Sequence, residues 1–155
     1  MEKKLDYFAP VTNILVDRNN IQEWDAFFME QVKIEGNLWG YDIETSNREA
    51  HDGIKKLMKI DDEGFSHGKK LIFDFKRSKI TGASFYFGKT HPDKAFYVNF
   101  GHADTHNTID ISYLLKWMET GKRHNNTLII HNVPYEYCVH LGSYDQVLPN
   151  TLCSM

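Results

Sequence analysis

Asp42 and Glu44 stand two residues apart in the run Leu-Trp-Gly-Tyr-Asp-Ile-Glu-Thr over residues 38–45. Its apolar and aromatic content reads as a buried strand, whose side chains alternate between faces. Asp42 and Glu44 therefore share one face, and Tyr41 and Ile43 take the other. Two carboxylates held among apolar neighbours repel each other and resist desolvation unless positive charge sits between them. A divalent cation meets that need, because carboxylate oxygens are the ligands that magnesium and manganese prefer. The same spacing recurs at Asp61 and Glu63, but in the polar turn Ile-Asp-Asp-Glu-Gly, where acids are simply solvated.

Far downstream, residues 127–136 read Thr-Leu-Ile-Ile-His-Asn-Val-Pro-Tyr-Glu. This is an apolar, β-branched run ending in a polar corner, followed by Pro134, which suits the first turn of a helix. Glu136 then projects from the start of a helix just beyond a strand end, where open α/β sheets gather functional groups. A strand with Asp-x-Glu-Thr followed by a strand with His-Asn-x-x-x-(Asp/Glu) resembles the first two motifs of the DEDD superfamily of 3′–5′ exonucleases. The likeness is closest to the proofreading domain of bacterial and phage family A DNA polymerases, and it covers roughly residues 11–155.

The resemblance implies a ribonuclease H-like fold in which four carboxylates hold two Mg2+ (or Mn2+) ions. These activate a water, grip the scissile phosphate and stabilise the leaving 3′ oxygen. Asp42 would bridge both ions, Glu44 would bind one, and Glu136 would stand where the family more usually has Asp. Asn132 and the backbone near Thr45 would position the terminal nucleotide. The implied partners are a single-stranded DNA 3′ end and the remaining part of a polymerase. A third motif, Tyr or His followed by Asp on a final helix, does not appear before Met155, and Tyr144 and Asp145 are adjacent and too early to serve. These residues thus supply three of four ligands and no water-orienting group, so the chain reads as truncated before the third motif and weak or inactive alone. The other readings are one piece of a split polymerase, or a non-catalytic nuclease-like module that binds a protein or single-stranded DNA. In that module Tyr135, Tyr137, Phe85 and Tyr97 would stack bases, although filling the core is the simpler role for them.

The 155 residues, 41% hydrophobic and 14% aromatic, suit one globular domain with a real core. A net charge of −3 supplies no global attraction to nucleic acid, so any such contact rests on local patches. Cys138 and Cys153 form no framework and read as free core thiols. His102 and His106 lack the matching pair that a zinc site needs. No apolar run of membrane-spanning length and no leader is visible, so no membrane partner is expected and the place of action is the cytoplasm, the host's if the gene is a phage's.

The elements that must position the acids follow from periodicity. Residues 1–35 form a lead strand (11–16) and an amphipathic helix (21–33) marked by Ile21, Trp24, Phe27, Phe28 and Val32, and residues 36–155 form the exonuclease-like core. A polar, lysine-rich passage at 46–79, with a short helix at 54–58, is a solvated loop or a surface for a phosphate backbone. Strands at 80–87 and 95–100 pair as a hairpin. A helix at 110–118 begins after a Thr108 cap and ends near Gly121, and a strand at 127–131 leads into a helix at 134–141 with Tyr137, Val139 and Leu141 partly inward. A last strand spans 148–153. The expectation is α/β: a ribonuclease H-like, mixed five-stranded sheet with flanking helices, lacking the final helix.

Overall fold

A computed structural model describes residues 10–46, 75–102 and 106–154. The expected helix at 54–58 and most of the lysine-rich passage lie outside these residues. Six strands carry the fold: β1 (Thr12–Val16), β2 (Leu38–Ser46), β3 (Lys79–Tyr86), β4 (Lys94–Asn99), β5 (Thr127–Ile130) and β6 (Asn150–Cys153). Three helices join them: α1 (Ile21–Val32), α2 (Ser112–Arg123) and α3 (Val133–Tyr144). The sheet order is β1-β4-β3-β2-β5-β6, with β2, β3 and β4 antiparallel and β1, β5 and β6 added in parallel. The sheet has six strands rather than five because the lead strand does not stand apart: it pairs with β4 from Thr12↔Lys94 to Val16↔Val98.

Alternation along the strands sends one set of side chains into a core and leaves the other in solvent. Trp39, Tyr41 and Ile43 of β2 meet Phe85 of β3 and Phe96 and Val98 of β4 on the buried face. Helices α1 and α2 are packed together, with Phe28 at their junction, its ring 4.5 Å from Trp117 and 5.0 Å from Phe85. Asp25 fastens the same pair of helices by accepting from the Trp117 indole at 2.7 Å. The open face carries Leu15, Tyr97, Ser84, Tyr86, Asp42, Glu44 and Ile129 at the alternate positions.

One boundary and one helix face differ from expectation for local reasons. Helix α2 starts at Ser112 rather than just after Thr108, because the Asp110 carboxylate lies two residues before the helix and accepts the Ser112 N–H at 2.8 Å. In α3 the inward stripe is Glu136, Val139 and His140, while Tyr137 and Leu141 are exposed. A helix repeats every 3.6 residues, so positions at i, i+3 and i+4 share a face, and those at i, i+2 and i+4 do not. Cys138 is half-buried and Cys153 exposed, so both are free thiols but neither is a core thiol. No helix among the described residues is long and apolar enough to cross a membrane.

Phe28 is fully buried at the meeting of two helices and the sheet, whereas Leu152 is 56% exposed. Phe28→Ala is therefore predicted to lower unfolding free energy by about 3–5 kcal/mol in urea denaturation, and Leu152→Ala by no more than about 0.5 kcal/mol. Similar losses for the two would contradict the placement of the core.

Candidate active site

The site forms where β2 outruns β5. The β2–β5 ladder ends at Gly40↔Ile129, so residues from Tyr41 onward have no strand on that side. The chain leaves β5, turns at His131 and Asn132, and enters α3 at Val133 with Pro134 in the first turn. Proline fits there because the first helical N–H groups have no partner inside the helix. The first turn of α3 thus fills the notch beside β2. A register shift between Glu44 and Thr45 marks a bulge in the β2–β3 ladder at the same place. Bulges re-aim side chains and are common beside functional sites.

Three side-chain hydrogen bonds hold α3 against β2 and β3. The Tyr135 hydroxyl bonds the Thr45 hydroxyl near the helix start. The Tyr41 hydroxyl bonds His140 Nε2 at 2.8 Å in the middle. Near the end, the Ile80 N–H donates to the Tyr144 hydroxyl at 2.7 Å. The middle contact belongs to a chain whose directions can be read. Gln146 Nε2 donates to the Leu115 carbonyl at 2.8 Å, so Gln146 Oε1 is the acceptor facing His140 Nδ1 at 3.0 Å. His140 therefore carries its proton on Nδ1, and the Tyr41 hydroxyl donates to Nε2. Burial lowers the His140 pKa to about 4, which keeps the ring neutral in this role.

Between the first two of these contacts sits Glu136, 2% exposed, on the same helical stripe as Val139 and His140. Its Oε2 is buried and has no hydrogen-bond partner among the described residues. Desolvation, partly offset by its backbone N–H, and the adjacent Asp42 carboxylate together raise the Glu136 pKa to about 7. The charge of Asp42 acts on this group directly, so the two carboxyl groups are neighbours. The Tyr41 pKa is pushed well up by burial first and then by the charge of Glu136.

Asp42 is exposed and lines a cleft of about 630 Å3 on the open face of the sheet, with Asn13, Ser84, Tyr97, His131 and Ser154 around it. Glu44 is exposed on that face too, directly across the ladder from Gly82. Asp42 and Glu136 are thus brought together, and Glu44 stands one strand position beyond. Among the described residues no three His, Cys, Asp or Glu side chains already converge as a metal-holding group. The Asp42–Glu136 pair nevertheless has the character such a site needs: hard oxygen donors, one of them buried and unpartnered, and mutual repulsion that a cation would relieve. Thr45 is half-buried with its hydroxyl engaged by Tyr135, whereas Asn132 is exposed and its carbonyl accepts the Tyr135 N–H at 3.0 Å. Sequence reasoning missed His140 and Gln146. A histidine four residues after Glu136 was the available signal, since that spacing sets both on one helical face.

No protein-family sequence pattern matches the chain, and no curated protein is similar to it in sequence. Three-dimensional similarity is found. A structure described as the yeast NOT1 MIF4G domain co-crystallized with CAF1 matches with a TM-score of 0.54 and 10% identity, over 97% of this chain and 65% of that one. NrnC from Brucella melitensis matches with a TM-score of 0.42 and 12% identity, over 93% of this chain and 48% of that one. The RNase domain of the yeast Pop2 protein matches with a TM-score of 0.47 and 9% identity, over 90% of this chain and 60% of that one. The chain therefore spans less than two thirds of the length of each. At 10% identity the first of these likenesses speaks for the fold alone, and the described sheet and helices are mixed α/β of the ribonuclease H-like kind.

The Glu136 shift has a direct consequence for stability. Its pKa rises from the ordinary 4.5 to about 7 in the folded chain, so between these values the native state holds more protons than the unfolded state. Stability then falls as pH rises through that window. Glu136→Gln, which cannot ionise, is predicted to raise the melting temperature at about pH 8 in EDTA and to change it little near pH 4. A variant that melts at or below the wild-type temperature at the higher pH would show that Glu136 is not held against its charge.

Proposed function

We propose that this chain is a nuclease-type domain acting at the 3′ end of a single-stranded nucleic acid, with divalent cations held by Asp42 and Glu136 and joined by Glu44. The observation that supports this reading most is the buried, unpartnered Glu136 oxygen pressed against Asp42. Bound Mg2+ or Mn2+ would supply Lewis acidity and a water of lowered pKa. The rest falls to the protein. Asp42 faces the cleft and is open to an incoming strand end. Glu136, anchored through its helix, offers an oxygen that does not have to shed water first, but it gives up a proton when a cation binds near neutral pH. DNA as the strand, and a polymerase as the setting, rest on the resemblance of the two sequence motifs. On the same basis Asn132, exposed beside the acids, would contact the terminal nucleotide, and Thr45 would contribute only its backbone because its hydroxyl is engaged.

A second reading has its own support. The open face of the sheet exposes Leu15 and Leu152 by 55% and 56%. The fold is also similar to a structure described as a co-crystal of two proteins. A non-catalytic module that binds a protein through this fold would bind equally well in EDTA.

Single-stranded DNA and RNA carrying a label on the 3′ nucleotide separate the two. In Mn2+ the wild-type chain is predicted to release labelled mononucleotide slowly, and the Asp42→Ala, Glu44→Ala double variant to release none, a loss of at least about a hundredfold. Release that survives the double substitution would overturn the reading; no release from the wild type would rule out action by this chain alone and leave a truncated nuclease and the binding module, which Asp42-dependent Mn2+ binding tells apart.

A further inference from the structure

A second orphaned polar atom lies on the open face, away from α3. The Tyr97 hydroxyl on β4 is buried and has no hydrogen-bond partner among the described residues. Its position follows from the sheet. Tyr97 pairs with Ser84 on β3, and its ring leans diagonally over Gly82, so far that a Cβ on Gly82 would overlap the phenol oxygen. Gly82 in turn lies directly opposite Glu44 across the β2–β3 ladder. The imidazole of His102 touches the ring from another direction, with centroids 6.3 Å apart. The hydroxyl is therefore set beside Glu44, and Tyr97 is one of the residues that line the cleft beside Asp42.

We propose that Tyr97 contacts the ligand of this site, donating a hydrogen bond from its hydroxyl to an anionic phosphate oxygen of a nucleotide held at Asp42 and Glu44. The inference rests on the nuclease reading and extends it by a residue on β4, a strand that neither sequence motif includes. Two physical points carry it. A buried hydroxyl without a partner destabilises the fold relative to phenylalanine, which would fill the same space, so the oxygen calls for a reason other than packing. A phenol hydroxyl is also protonated at neutral pH. Tyr97 is therefore a donor and not a base, and a phosphate oxygen drawn in by a cation is an acceptor that the carboxylates themselves cannot serve.

The test uses the whole chain, Mn2+, and thymidine 5′-monophosphate as the probe, with binding read by calorimetry and stability by thermal melting. Tyr97→Phe is predicted to bind the nucleotide about tenfold more weakly in the presence of Mn2+, while Asp42-dependent Mn2+ binding persists and the melting temperature without ligand stays the same or rises. Gly82→Ala, which displaces the phenol without deleting it, is predicted to weaken the nucleotide similarly. Nucleotide affinity within twofold of wild type in Tyr97→Phe overturns the assignment. So does a wild-type chain that binds Mn2+ through Asp42 but binds no nucleotide, and in both cases the nuclease reading stands. A wild-type chain without Asp42-dependent Mn2+ binding overturns both.

Discussion

The hydrogen bond from Tyr41 to His140 is the contact on which the candidate site depends. It joins the central strand to the middle of α3, and both of its partners are buried, so neither can exchange the other for water at low cost. Tyr41 precedes Asp42 on the strand, and His140 follows Glu136 by one turn of the helix. Fixing the first pair fixes the second. The Tyr135–Thr45 and Tyr144–Ile80 contacts at either end of α3 then restrict its rotation and sliding. A carboxylate pair on two separate elements keeps a geometry only if those elements cannot shift, and three polar anchors along one helix supply that rigidity.

The arrangement is unfavourable in isolation. A carboxyl group turned inward among Val139 and His140, with one oxygen unpartnered and another carboxylate beside it, destabilises the fold whenever it is charged. Of the three buried side-chain atoms left without partners among the described residues, His91 Nδ1 lies in the β3–β4 turn, and the other two, on Glu136 and Tyr97, flank Asp42 and Glu44. Polar atoms that packing does not account for thus gather around the acids. That concentration is characteristic of sites that trade stability for binding or chemistry.

Much of the frame was legible in the sequence. The apolar spacing of Ile21, Phe28 and Val32 announces α1, the alternation around Ser84 announces β3, and Pro134 after an apolar run announces the strand-to-helix corner that delivers Glu136. Asp42 and Glu44 on one face follow from strand alternation alone. What escaped depends on contacts between distant residues. That β1 would join the sheet edge beside β4 has no local signature, since a parallel neighbour is chosen by the crossover between them. The direction of the Tyr41–His140–Gln146 chain depends on the Leu115 carbonyl on another helix. The closeness of Tyr97 to Glu44 depends on the missing side chain of Gly82, a glycine that in sequence is merely an interruption in a strand.

The cation site proposed at Asp42 and Glu136 has one buried member that is partly protonated until a cation binds. Calorimetric titration with Mn2+ near pH 7, repeated in buffers of differing ionisation enthalpy, measures the protons released on binding. With the Glu136 pKa at about 7, release of about half a proton per bound site is predicted, and none in Glu136→Gln. Heats that do not change with the buffer, or a wild-type proton release that persists in Glu136→Gln, would contradict it.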